Sequence, residues 1–164
     1  DIQLFDAVKQ PSDVEQDTEA DSVTTETLLS TFSVLMESTV NAGDAAAASH
    51  LLDEMYFHRV VPTIEIYNYA LEAHTQTGKK RHLHRSLKVL QDMIAHNRAP
   101  NVTSFAIVCQ GAYLCNDLTT LQKVVELANQ HGLSTDDVED AMKAWLNYLV
   151  GGSRPTGGSS QSAS

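Results

Sequence analysis

Apolar residues recur at helical spacing along most of this chain, in paired segments between residues 29 and 136. The first segment of each pair has apolar side chains at positions i, i+3 and i+7, which lie on one face of an α-helix. These triplets are Leu29, Phe32 and Met36, then Ile64, Tyr67 and Leu71, then Val102, Phe105 and Cys109. The second segments carry Leu51, Leu52 and Met55, then Leu87, Leu90 and Ile94, then Leu121, Val124 and Ala128. Six amphipathic helices predict an all-α fold in which the apolar faces pack together.

The six segments form three consecutive units of 35, 38 and 35 residues, which are 29–63, 64–101 and 102–136. In each unit a residue suited to a tight turn between helices follows eleven positions after an aromatic residue. These turn residues are Gly43, Gly78 and Asn116. Pro62 and Pro100 stand where a second helix must have ended. A period in the thirties predicts an array of helical repeats.

A seventh helix is predicted over residues 136–150. Ser134 or Thr135 supplies an N-cap, and two aspartates follow where the helix dipole favours negative charge. Its apolar residues share one face and are Val138, Met142, Trp145 and Leu149. Because a solenoid needs an atypical terminal element to cover its open end, we interpret this segment as a C-terminal capping helix with Trp145 in its core.

Two polar segments flank this repeat domain of residues 28–150. Residues 1–27 contain eight acidic residues and one lysine, which supply most of the net charge of −10. They lack the apolar surface needed to offset ordering entropy and are predicted to be an acidic linker. Residues 151–164, rich in glycine and serine, are predicted to be a flexible tail. No apolar run approaches the ~20 residues of a membrane span, so no membrane partner is expected.

The start of the chain has neither a secretory signal nor a basic transit peptide, and we expect the chain to be a piece of a longer protein. Cys109 and Cys115, six residues apart, lie on nearly opposite faces of a helix, so two free thiols are expected. No histidine stands at zinc-ligand spacing from them. No Ser/His/Asp arrangement and no phosphate-binding glycine-rich loop is present.

The middle unit carries the clearest family signature. It reads Ile64-Glu65-Ile66-Tyr67-Asn68, then Gly78, then Leu90-Gln91-Asp92-Met93, then Ala99-Pro100-Asn101. The other two units fit the same frame, so residues 29–136 resemble pentatricopeptide repeats. The resemblance implies a right-handed α-solenoid of three helix-turn-helix repeats. It also implies binding of single-stranded RNA at one base per repeat.

In that family, the residue after the aromatic and the last residue of the repeat read the base. By resemblance, the pairs here are Ser33 with Thr63, Asn68 with Asn101, and Ala106 with Asp136. Amides both donate and accept hydrogen bonds, so Asn68 with Asn101 is expected to read a pyrimidine edge, whereas Ala106 has no hydrogen-bonding group. The usually apolar position that packs on the base holds Ser30, Glu65 or Thr103. These departures predict low sequence specificity.

The three additional residues of the middle unit fall just after Gly78, in a basic segment. Its cations are Lys79, Lys80, Arg81, Arg85 and Lys88. On an otherwise acidic chain this segment is the candidate phosphate-binding patch. The alternative is an ordinary solvated start of a helix.

Acidic residues in the same unit allow a different chemistry. Glu65 is expected to face the groove, and Glu72 follows it two turns later on the same helix face. Carboxylates in an RNA groove can hold Mg²⁺, which can activate a water for phosphodiester hydrolysis. A magnesium-dependent ribonuclease of the exoribonuclease type is therefore an alternative function, with Glu65 and Glu72 as its candidate catalytic residues.

A narrower resemblance concerns the short array and the segments Tyr67-Asn68 and Ser104-Phe105-Ala106. They are similar to the N-terminal pentatricopeptide domain of mitochondrial RNA polymerases. That resemblance implies a fragment without polymerase catalytic regions, located in the mitochondrial matrix and placed near the nascent transcript. Its partners would be single-stranded RNA and neighbouring domains of the same polypeptide or transcription factors. A protein-docking scaffold is the remaining alternative.

Overall fold

The structure, a computed structural model, describes residues 11–155, and side chains from Ser22 onward. This part of the chain consists of seven α-helices without a strand. The helices are α1 (Pro11–Ala42), α2 (Ala45–Phe57), α3 (Ile64–Thr75), α4 (Lys80–Ala95), α5 (Val102–Leu114), α6 (Leu118–Gln130) and α7 (Thr135–Leu149). None of the helices described is both long and apolar enough to cross a membrane.

The first helices of the predicted pairs stack side by side in one row. Helix α3 packs between α1 and α5, and α5 packs against α7. The second helices α2, α4 and α6 each pack on the first helix of their own pair. This arrangement confirms the all-α helical-repeat fold. Helix α7 occupies the place that the first helix of a fourth unit would take, and Val138 and Trp145 are its buried residues.

The repeating aromatic residues form the centre of the core. Phe32, Tyr67 and Phe105 are all buried, and each comes from the first helix of its unit. Full burial of one such side chain stabilises the fold by about 1.5–3 kcal/mol relative to an exposed position. The hydroxyl of Tyr67 lies 3.0 Å from that of Tyr56 and 3.3 Å from Nδ1 of His96, so its polar end is satisfied inside the second unit.

The turns within the pairs have the geometry that the sequence predicts. Gly43, Gly78 and Asn116 have φ angles of 67°, 62° and 54°. A second set of left-handed residues ends the second helices, and these are Arg59, Asn97 and Gly132. A left-handed backbone costs most residues with a Cβ roughly 1–2 kcal/mol. Glycine lacks a Cβ, and the short polar side chain of asparagine can hydrogen-bond locally, so these two residue types fill five of the six positions.

The three additional residues of the middle unit lengthen α4. This helix has 16 residues, whereas α2 and α6 have 13 each. Each of the three begins two residues after its turn residue. The insertion therefore leaves the turn unchanged and adds almost one helical turn, which carries basic side chains.

Helix α1 begins at Pro11, within the segment that the sequence predicts as an acidic linker. The linker prediction is wrong for residues 11–27, which are helical. Glutamate, glutamine and alanine favour helix locally, and the helix continues unbroken into Leu28 and Leu29, which pack on the core. The side chains of residues 22–27 are exposed. The lack of apolar residues in this segment therefore means that this part of α1 has no packed face, and it does not mean that the segment is non-helical. Residues 1–10 lie outside the described part of the chain.

Both cysteines are free thiols, as the spacing predicts. Cys109 is buried, and burial raises the pKa of its thiol to about 12. A thiol with that pKa stays protonated at neutral pH and is a poor nucleophile.

Candidate nucleic-acid interface

A concave groove of about 760 Å³ runs along the row of first helices. Its walls come from α3, α5 and α7, from the residues that precede α3 and α5, and from the segment after α7. The lining residues are Thr63, Ile64, Glu65, Asn68, Tyr69, Arg98, Asn101, Thr103, Ile107, Trp145, Arg154 and Pro155. We call this surface the groove.

The groove brings together the one predicted readout pair made of two amides. Nδ2 of Asn68 donates to Oδ1 of Asn101 at 3.4 Å, although the residues are 33 positions apart. The hydroxyl of Ser104 donates to Oδ1 of Asn68 at 2.6 Å. These contacts occupy both acceptor oxygens. One N–H of Asn68 and both N–H groups of Asn101 have no partner among the described residues.

Helix capping explains how these side chains are positioned. Asn101 is the N-cap of α5, and its Oδ1 accepts the backbone N–H of Ser104 at 3.0 Å. The Ser104 hydroxyl accepts the backbone N–H of Asn101 at 3.1 Å, which completes a capping box. Thr63 is the N-cap of α3 and accepts the N–H of Ile66 at 3.2 Å. Thr63 and Asn101, the last residues of the first two units, therefore both cap the next helix and border the groove.

Arg154 closes one end of the groove. Its two terminal nitrogens donate to the two carboxylate oxygens of Glu72 at 3.1 and 2.7 Å. The guanidinium carbon lies 5.2 Å from the ring centre of Tyr69 and 5.4 Å from that of Trp145, within cation–π range. The Arg154 side chain is 38% exposed and forms part of the groove wall.

This contact differs from the flexible tail that the sequence predicts. Residues 151–155 turn back from α7 and place Arg154 against α3. The backbone N–H of Gly152 donates to the carbonyl of Asn147 at 3.0 Å, and Gly151 adopts a φ of 101°. The remaining residues 156–164 lie outside the described part of the chain.

Glu72 is not available as a metal ligand. Its side chain is buried and both of its oxygens pair with Arg154, so its predicted catalytic role is wrong for this structure. Burial raises the pKa of Glu72, and the Arg154 guanidinium partly opposes that rise. Glu65 does line the groove, where it accepts the Tyr69 hydroxyl at 3.4 Å. No group of three or more His, Cys, Asp or Glu side chains in the described residues is arranged to hold a metal ion.

The other two predicted readout pairs are placed differently. Ala106 is fully buried on α5, which packs against α3, α4, α6 and α7. Its predicted contact with a base is therefore wrong for this structure. Asp136 is exposed in the first turn of α7, and Ser33 is half-buried on α1. Neither lines the groove.

The predicted basic patch lies away from the groove, on α4. Lys79, Lys80, Arg81 and Arg85 are exposed where α4 begins, and we call this surface the basic edge. Lys88 stands one turn further along α4 and pairs with Asp92 at 3.5 Å. None of these five cations lines the groove. The structure therefore divides the predicted RNA-binding residues between two surfaces.

Sequence reasoning missed Tyr69, Arg98, Trp145 and Arg154 as groove residues. Tyr69 had a signal, because it stands four residues after Glu65 and therefore shares the groove-facing side of α3. Trp145 is buried in the core of α7 as expected, yet it also forms part of the groove wall. No sequence feature indicated Arg154 as a groove residue, because its position depends on how residues 151–155 fold back after α7.

The first half of the chain matches a known family. Residues 15–77 match the family model described as the pentatricopeptide repeat domain, over most of α1 and all of α2 and α3. The match supports a pentatricopeptide repeat protein, and such repeats are generally RNA-binding helical repeats. The comparison with curated proteins gave no match.

Proposed function

We propose that the groove binds single-stranded RNA with little sequence preference. The observation that supports this proposal is the set of three unpartnered N–H groups on Asn68 and Asn101, held by a capping box at the groove wall. Oδ1 of Asn101 already accepts bonds from Asn68 and Ser104, so the Asn101 amide faces a ligand as a donor. Carbonyl oxygens and ring nitrogens on the exposed edges of unstacked bases are suitable acceptors.

The guanidinium of Arg154 supports base stacking in the same groove. Single-stranded bases stack on aromatic rings and on guanidinium planes. Arg154 lies close to the rings of Tyr69 and Trp145 and is held by its two bonds to Glu72, so its exposed part offers a base a positioned stacking surface. Stacking discriminates weakly among bases, because every base has a π-face.

The low selectivity follows from the number of working pairs. Of the three pairs, only Asn68 with Asn101 lines the groove with both members, since Ser33, Ala106 and Asp136 do not line it. One pair of donors accepts several base edges. The groove therefore favours single strands over duplex RNA and reads little of their sequence.

We further infer that this module belongs to a mitochondrial RNA polymerase, in which it contacts the nascent transcript in the mitochondrial matrix. The similarity of Tyr67-Asn68 and Ser104-Phe105-Ala106 to the N-terminal domain of those enzymes supports this inference. The sequence of the complete gene product tests it. A phage-type polymerase body downstream of residue 164 is expected, and its absence would contradict the assignment.

Labelled single-stranded RNA, titrated with the protein at low salt, tests binding in the groove. Asn101→Asp keeps a side chain that caps α5 but replaces both free donors with an anionic oxygen, so we expect roughly tenfold weaker binding, equivalent to about 1.4 kcal/mol. Asn41→Asp adds the same charge at an exposed site on α1 and should change the affinity less than twofold. If the unmodified protein shows no RNA binding at low salt, the proposal is overturned and a protein-docking scaffold is favoured.

A further inference from the structure

A second cavity, of about 280 Å³, lies beside the basic edge and apart from the groove. It is enclosed by the start of α2, the end of α3 and the start of α4. Its lining residues are Ala45, Ala46, Ser49, His74, Arg81, His82 and Arg85. We call it the edge cavity. Of the five cations in the predicted patch, only Arg81 and Arg85 reach it.

Three hydrogen bonds in series, a hydrogen-bonded chain, connect side chains in the wall of the edge cavity. Nε of Arg81 lies 3.2 Å from Nε2 of His82, and Nδ1 of His82 lies 3.4 Å from Nδ1 of His74. Nε2 of His74 lies 3.0 Å from the hydroxyl oxygen of Ser49. His74 is only 1% exposed, so the chain joins the protein interior to the surface.

The guanidinium determines the direction of every bond in this chain. Arginine has no acceptor, so Nε2 of His82 must accept, and the His82 proton resides on Nδ1. That proton is donated to Nδ1 of His74, which places the His74 proton on Nε2. His74 then donates to Ser49, and the Ser49 hydroxyl hydrogen is left without an acceptor among the described residues. The hydrogen-bonded chain therefore ends at the Ser49 hydroxyl, which is a free donor at the cavity wall.

The charges around the edge cavity are positive and lack counter-ions. Neither Arg81 nor Arg85 has a carboxylate within 4.0 Å in the part of the chain that the structure describes. Asp44, which precedes Ala45, does not line the cavity, and its carboxylate accepts the N–H of Ala47 at 2.9 Å. An anion would supply both the missing charge and the missing acceptor.

We propose that the edge cavity binds a phosphate group. Its oxygens accept hydrogen bonds from the Ser49 hydroxyl and from the guanidinium groups of Arg81 and Arg85, the side chain best suited to phosphate. The volume of about 280 Å³ exceeds what one phosphate needs, so a phosphate carried by a nucleotide or an RNA end also fits.

The histidines support this assignment and provide a readout. Burial, followed by the positive charges nearby, lowers the pKa of His74 to about 4, and it lowers the pKa of His82 as well. Both rings are therefore neutral at pH 7, as the directed chain requires. A bound anion offsets the positive field and raises both pKa values, which moves the imidazole resonances.

Inorganic phosphate added to the full chain at constant ionic strength tests the site. We expect saturable shifts of the His74 and His82 imidazole resonances, assigned with His74→Gln and His82→Gln. Arg81→Gln with Arg85→Gln, both at exposed positions, should weaken binding at least tenfold, and Ser49→Ala at least threefold. Lys123→Gln with Lys143→Gln removes the same charge elsewhere and should change it less than twofold. Shifts that do not saturate, or that are equal in both double variants, overturn the proposal.

Two RNA oligomers of one sequence, with and without a 5′-phosphate, identify the source of the phosphate, and only this part rests on the proposed function. Stronger shifts of His74 and His82 with the 5′-phosphate identify a terminal monoester. Equal shifts identify an internal diester, and shifts with inorganic phosphate alone identify a free phosphate. Each result retains the site. Asn101→Asp should leave all phosphate-induced shifts intact, so failure of the groove and failure of the edge cavity are distinguishable.

Discussion

The groove and the edge cavity both contain arginine beside aromatic or imidazole rings, but they differ in how the charge is balanced. In the groove, Arg154 is neutralised by the buried carboxylate of Glu72 and lies within cation–π distance of Tyr69 and Trp145. In the edge cavity, Arg81 and Arg85 have no carboxylate partner among the described residues, and two neutral histidines line the wall. The positive charge in the groove is therefore balanced by a carboxylate of the protein, whereas the positive charge in the edge cavity is not.

This difference separates two kinds of recognition. A compensated groove can bind a neutral base by stacking and hydrogen bonding without strong dependence on salt. An uncompensated cationic cavity attracts phosphate, and the release of counter-ions makes such binding sensitive to salt. The two proposals therefore assign base contacts to the groove and phosphate contacts to the edge cavity, and the two assignments can be tested separately.

The largest expected effect concerns His74 in the edge cavity. Its folded pKa of about 4 lies below the unfolded value near 6.5, so the unfolded state binds more protons between these values. The stability from neutral His74 is complete above pH 6.5 and is lost as the pH falls towards 4, by about 3 kcal/mol. Urea unfolding across this range should show a flatter pH profile for His74→Gln. The control variant His84→Gln, at an exposed position, should retain the pH profile of the unmodified protein. An unchanged profile in His74→Gln would show that the lowered pKa of His74 is not the cause of the pH dependence.

The next effect concerns the charge pair in the groove, where the two partners should not be equivalent. Arg154→Ala leaves a buried carboxylate unpaired and should lower the free energy of unfolding by about 2 kcal/mol at pH 7, less than for a fully buried pair because Arg154 is partly exposed. Glu72→Gln leaves an arginine that can turn to solvent, so its cost should be smaller. Equal costs in urea unfolding would contradict this asymmetry.

The same pair has a pH dependence of known sign. Loss of Arg154 raises the already elevated pKa of Glu72 further, because the guanidinium favours the charged carboxylate. The destabilisation by Arg154→Ala should therefore shrink as the pH falls and Glu72 becomes protonated in the folded state. Glu72→Gln combined with Arg154→Ala should remove that pH dependence. Persistence of the dependence in the double variant would assign it to another group.

A smaller effect distinguishes the two surfaces by salt. With 5′-phosphorylated RNA, Arg81→Gln with Arg85→Gln should reduce the slope of log affinity against log salt by about 0.7, because both arginines contact the same single-strand phosphate. Asn68→Ala should weaken binding at every salt concentration and leave the slope unchanged. Titrations at four or more salt concentrations measure both. Equal slopes in the two variants would remove the distinction between base and phosphate contacts.

The smallest effect concerns Glu65, the exposed carboxylate of the groove. Glu65→Gln removes a negative charge near the RNA and should strengthen binding about twofold, equivalent to roughly 0.4 kcal/mol. Glu126→Gln, at an exposed position on α6 that does not line the groove, is the matched control. RNA length, followed with and without Mg²⁺, tests the ribonuclease alternative in the same samples. Magnesium-dependent shortening that Glu65→Gln abolishes would revive that alternative.

The repeat architecture could be predicted because its signals are local. Helical spacing, the turn residues Gly43 and Gly78 and the aromatic at the fourth position each depend on a few neighbouring residues. The same register placed Asn68 and Asn101 together, since a fixed period determines which residues meet across adjacent helices. The linker prediction failed for residues 11–27, because a helix can extend outward from a packed segment without an apolar face of its own.

By itself, the sequence determined the helices of the repeats, their order and the pairing of Asn68 with Asn101, because periodicity and capping act within a single turn or a single repeat. The tertiary structure decided which polar residues share a surface. It buried Ala106, bonded Glu72 to Arg154 across 82 residues, and joined Ser49 to His74 across 25. Such contacts arise where non-adjacent segments pack together, and burial makes each of them depend on its partner, because an unpaired polar group in the interior is costly.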